Sequence, residues 1–172
     1  MNDQQIWNLG LLSVEKLVAE LSSGGRLQLQ ELLAVYRREK EQMAAVIHRI
    51  DSVKICGDCA GQCCLNGKYR MNVLDAVSHS VAGTKLTADF AQKPLCPYGT
   101  ERGCLMEPGL RPADCMQFIC DLIDGLLSDA ERSVLLAREK SLRDCLQSVS
   151  KLLGVTADTP LLFWAEKNNI EF

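Results

Sequence analysis

The sequence has no excess of positive charge. Nineteen Lys and Arg stand against 22 Asp and Glu, a formal net charge of -3 in 172 residues. That removes the basic footprint with which nucleic-acid-binding domains engage phosphate. No run of about 18 apolar residues occurs, so no transmembrane helix is expected. The opening "MNDQQIWNLGLLSVEK" has no basic stretch of the kind that starts a secretory signal. The expected setting is therefore the reducing cytoplasm, away from any membrane. Aromatic residues make up 5% and histidines number two. No phosphate-cradling glycine loop, Ser-His-Asp arrangement, paired-carboxylate site or internal repeat is visible. A thioredoxin-like setting would need CxxC after a strand in a βαβ pattern, and that pattern is missing.

What the chain does have is cysteine, nine in all. Four fall in "KICGDCAGQCCLNG": Cys56, Cys59, Cys63 and Cys64. Four more follow at Cys96, Cys104, Cys115 and Cys120, and Cys145 stands apart. An odd count in a reducing compartment argues against a disulfide framework and for metal ligation or redox chemistry. An all-thiolate set favours zinc or iron in an iron–sulfur cluster over magnesium and calcium, which take oxygen ligands.

Three zones organise the chain. Residues 1–53 read as an N-terminal helical hairpin: "QIWNLGLLSVEKLVAEL", a break at "SSGGR", then a second helix. In the second helix Leu29, Leu33, Tyr36, Met43, Ile47 and Ile50 form a stripe at steps of three and four, with Lys40 in its one gap. The stripe is expected to bury on the hairpin itself or on the cysteine module; a dimerisation helix is the sharper alternative. Residues 54–125 form a cysteine-cluster module dominated by loops, with a short helix in "MNVLDAVSHSVAG" ended by Gly83. This zone has little apolar material of its own, so metal is expected to hold it. Residues 126–172 are helical again. Ser128 and Glu131 make a capping-box signature and Gly154 a stop, followed by a final helix packing Leu162, Phe163 and Trp164. The expected fold class is mostly α, with helical flanks around a loop-rich, metal-stabilised cysteine module, together one compact domain.

Spacing decides what each thiol can do. Cys56, Cys59 and Cys63 lie at i, i+3 and i+7, which share one face of a helix. Cys64 lies about 100° round from Cys63 and points to a second metal or the other side of a cluster. Cys115 and Cys120 are about 140° apart at helical pitch, so a helix must start or break between them, or they serve different sites. Eight thiols suffice for two tetrahedral four-Cys sites, or for one cluster with supporting thiols. Cys145 lies on a stripe with Leu142, Val149 and Leu152 and reads as a buried apolar side chain. His48 and His79 read as capping or surface residues before they read as ligands.

With "CGDCAGQCC", "LCPYGTERGC" and "RPADCMQFIC" in order, residues 54–122 resemble the CxxCxxxCC (YkgJ-like) cysteine-cluster family, described as zinc- or iron-chelating domains. The resemblance implies a metal set of Cys56, Cys59, Cys63, Cys64, Cys96, Cys104, Cys115 and Cys120. Two positions depart from the family pattern. "LMEPGL" replaces an aromatic-bearing connection and is one residue longer, and Met116 stands where an Arg is usual. A similar signature in a flagellin lysine methylase implies an iron–sulfur cluster in a methyl-transfer enzyme, but no further motif for that activity is seen here.

Arg111 is singled out as a cofactor-binding residue. Its guanidinium can donate to thiolates or sulfides, or it can pair with Asp114 at a helix start. The expected function is a metal-binding protein with an iron–sulfur cluster or zinc, in an electron-transfer, metal-handling or regulatory role. The alternatives are a cluster-dependent modification enzyme and a helical interaction protein with structural zinc, its protein partner meeting the helical flanks.

Overall fold

A computed structural model describes residues 1–59, 67–91, 96–100 and 103–169. The molecule is mostly helical. Helix α1 spans Asp3–Ala19 and α2 spans Ser23–His48. The "SSGG" segment is where they separate, as expected, but the glycines lie inside α2. Ser22 is the N-cap, its side chain accepting from the Gly25 amide, so Gly24 and Gly25 occupy the first turn.

The short helices of the middle zone follow. These are α3 (Ser52–Asp58), α4 (Val73–Ala82), α5 (Ala113–Gln117) and α6 (Asp121–Asp124). Single 3-10 turns cover Gly67–Tyr69 and Pro108–Leu110. Two two-residue strands, β1 (Gly99–Thr100) and β2 (Gly103–Cys104), pair antiparallel. The last elements are α7 (Asp129–Leu153) and α8 (Leu161–Asn169). The capping box forms as read, Ser128 with Glu131, and Gly154 closes α7 at φ 69°.

The packing partners are distant in sequence. Helix α2 lies chiefly on α7, and α1 lies on α8 and α4. The stripe of α2 is buried from Leu29 through Leu33, Tyr36 and Lys40 to Met43. Helix α2 as a whole meets α7 more than it meets its own hairpin partner, while Tyr36 and Lys40 of the stripe meet Asp75 of α4. Arg138 of α7 donates to the buried carboxylate of Glu39 at 3.0 Å, fixing the register of the two long helices.

The middle zone has more core than its composition suggested. Met71, Val73, Leu74 and Val77 of the α4 region are fully buried in the same cluster as Val14, Leu33 and Leu161. The loop before α8 clamps the start of α4. Val73 and Leu74 donate to the carbonyls of Thr159 and Ala157, and Leu161 donates to Met71. The zone is thus built into the helical body through α4, and its cysteine-bearing parts project from that frame. In α8 the buried side is Leu161, Leu162 and Ala165. Phe163, expected in the core, is exposed and stacks on Tyr69 at 4.9 Å.

Candidate metal centre

Each candidate cysteine is set by a short element. Cys56 lies on α3 and Cys59 caps its C-terminus, where its thiol donates to the Cys56 carbonyl at 3.4 Å. Cys63 and Cys64 lie outside the described residues. Cys104 ends β2. Cys115 sits within α5, and Cys120 is the N-cap of α6. Phe118, between them, has extended backbone at φ -76° and ψ 108°. The helix therefore breaks between Cys115 and Cys120, one of the two resolutions the spacing allowed.

These elements gather at one side. Helix α3 packs on β2 and on α6, so the segment carrying Cys56 and Cys59 lies against the segments carrying Cys104 and Cys120. Gly67, just past the first cysteine stretch, touches Cys96. A Cβ there would stand 2.0 Å from the Cys96 Cβ and 3.3 Å from its Cα. Only glycine fits this approach, because no rotamer change moves a backbone atom. Gly67→Ala is expected to cost about 1–3 kcal/mol and to displace Cys96, checked by urea denaturation together with alkylation of Cys96. Unchanged stability and reactivity would mean that this approach is not held in solution.

The sulfurs in the β1–β2 region receive backbone donors. The amides of Tyr98 and Gly99 point at the Cys96 sulfur, and the amide of Met106 donates to the Cys104 sulfur at 3.4 Å. Amides aimed at sulfur stabilise the thiolate over the thiol. Burial works the other way and is the larger influence on Cys96, raising its thiol above the ordinary value; Cys104 adds to the rise and Arg70 opposes it. Cys115 opens to solvent at one side yet is enclosed enough that burial pushes its thiol well up. Arg70 pulls it down, while Cys104, Asp75 and Cys96 push it further up. Three thiols and one guanidinium thus share one electrostatic neighbourhood.

Arg70 is the cation that sequence reasoning missed. It donates to the Asp114 carbonyl at 3.2 Å and lies over the Phe118 ring at 4.8 Å. Arg111, singled out for that role, sends its Nε to the Met106 carbonyl at 2.9 Å and closes the loop that follows Cys104. The carboxyl of Asp114 is raised chiefly by burial, and Arg70 is the cation that opposes the rise. Only the two basic residues just after the first cysteine stretch, Lys68 and Arg70, hinted at a cation there.

The two histidines differ: His48 lies at the surface, as expected, and His79 is buried rather than capping or exposed. His48 is exposed on the last turn of α2. His79 is buried; its Nε2 meets the Leu110 carbonyl at 2.9 Å and its Nδ1 meets the Thr84 hydroxyl at 2.8 Å. A carbonyl can only accept, so Nε2 carries the proton in this arrangement. Cys145 is buried in the α7 face with Leu142 and Val149.

Among the described residues no three Cys, His, Asp or Glu side chains stand close enough together to hold an ion. Two of the eight candidate thiols, Cys63 and Cys64, are outside that set. No family model, curated protein or solved structure matches the chain.

Proposed function

We propose that the chain is a metal-binding protein whose cysteine thiolates hold an iron–sulfur cluster or zinc. The observation that carries this reading is the pair of sulfurs flanking β1–β2. Cys96 and Cys104 both accept backbone amides, and Arg70 stands beside Cys96 and Cys115. Such donors offset thiolate charge and are the usual outer support of a sulfur-ligated metal. The donor set fits the group chemically, since it is thiolate throughout. Cys96, Cys104 and Cys115 would supply one part of the ligands, and Cys56, Cys59, Cys63, Cys64 and Cys120 the rest. The adjacent Cys63–Cys64 pair favours iron–sulfur over a simple zinc knuckle, in which ligands come in spaced pairs. The resemblance to the CxxCxxxCC family supports the same reading. When bound, a cluster would supply one-electron chemistry, and zinc would supply structure.

A second reading has its own observation. Leu105, Phe118, Leu122 and Leu126 are exposed around the cysteine-bearing segments. A structural zinc that shapes this apolar surface for a protein partner would use them.

The deciding experiment is purification without oxygen, followed by a visible spectrum and assays of iron, zinc and acid-labile sulfide. Iron and sulfide with a broad band near about 400 nm establish the cluster. A colourless protein with one or two zinc ions establishes zinc as the metal, and capture of a protein partner lost on Leu105→Ser and Leu122→Ser then establishes the second reading. A protein that takes up neither, even when metal is added to the reduced form, refutes both.

A further inference from the structure

The gap in the apolar stripe of α2 is filled by a charge. Lys40 is fully buried, and so is Asp75 of α4; their side chains meet at 3.3 Å. Burying two ions is costly, and a pair this deep is retained only where further hydrogen bonds satisfy it. Here they do, and most of them lead to one place. Lys40 Nζ donates to the Arg111 carbonyl at 2.7 Å. The Ala113 amide donates to both carboxylate oxygens of Asp75, at 3.2 and 3.3 Å. Tyr36 donates its hydroxyl to Asp75 at 2.9 Å and lies 4.3 Å beneath Lys40 as a ring. His79 reaches the Leu110 carbonyl on the same segment. Pro112 is thus held on both sides, three residues before Cys115.

We infer that Lys40 and Asp75 are positioning residues that fix the Arg111–Ala113 backbone and so hold the Cys115 thiol in place before any metal arrives. The inference rests on the metal-binding reading, in which Cys115 is a ligand. Here the cation and the anion each hold one side of Pro112.

The test uses the full chain, reduced and metal-free, titrated with zinc while alkylation of each cysteine is followed by mass spectrometry. In the double variant Lys40→Met/Asp75→Leu both charges go together, so no lone ion is left buried. Expected is a folded, helical protein whose zinc affinity falls about 10- to 100-fold. Cys115 should lose its protection by zinc while Cys96 and Cys104 keep theirs. Wild-type affinity with Cys115 still protected would overturn the positioning role and leave the metal reading standing. A wild-type protein that binds no metal would overturn the metal reading itself. Should the double variant not fold, hydrogen exchange in the metal-free wild type decides the matter. The Ala113 amide should exchange slowly, and exchange at the rate of an open loop would overturn the inference.

Discussion

Replacing Lys40 alone by methionine is expected to lower stability by about 3–5 kcal/mol. The methionine fills the space, but the Asp75 carboxylate stays buried without its cation. It would still accept from Tyr36 and Ala113, which are neutral donors. The comparison is Arg132→Ala, which breaks ion pairs to Asp124 and Asp129 at the surface. Exposed pairs of that kind contribute little, because water screens them. Urea denaturation of both variants at pH 7 checks the contrast. Equal, small losses would mean that water reaches the pair. Burial drives the Lys40 amine down in the native protein, with Asp75 the main opposing influence.

The second large effect is on metal affinity as a function of pH. Burial raises the thiols of Cys96 and Cys115 in the metal-free protein. Both are therefore protonated at pH 7, and a metal must displace those protons. Each proton displaced makes affinity fall about tenfold per unit drop in pH. These two thiols alone are expected to give about 100-fold per unit between pH 8 and pH 6. Stability of the metal-free protein runs the opposite way. A thiol whose folded value is raised contributes stability that is fully present below its unfolded value of about 8.5. That contribution is lost as pH rises toward the folded value, so the metal-free protein should weaken in alkali while the zinc-loaded form does not. Zinc titrations at three pH values, with melting curves of both forms, measure this. Affinity independent of pH would mean that the ligating thiols are already ionised.

Removing the metal should leave most of the helical signal. The α2–α7 and α1–α8 contacts and the α4 clamp involve no candidate ligand. The middle zone's sparse apolar content suggested that metal alone would hold it. In the structure α4 is anchored in the common core instead, and the segments near the cysteines are what the metal would still have to secure.

The elements written into the sequence are those whose cause is local. A capping box needs Ser128 and Glu131 three residues apart, and the stop of α4 needs only Gly83. The stripe of α2 is legible because helical neighbours lie three and four residues apart. The burial of Cys145 follows from the same spacing, which also narrowed Cys115 and Cys120 to two arrangements; the extended Phe118 chose between them. By these means the sequence alone determined a mostly helical chain and confined its thiols to a few short segments. Lys40 was visible as a misfit in its stripe, but nothing local said what it paired with. Its partner Asp75 lies 35 residues on, and the Arg111 carbonyl lies 71 residues on. The contact of Gly67 with Cys96, the placement of Arg70 near the thiols, and the pairing of α2 with α7 are likewise long-range. Only the tertiary structure decided these, because a buried charge or a bare glycine acquires its meaning from whatever side chain or backbone the rest of the chain packs against it.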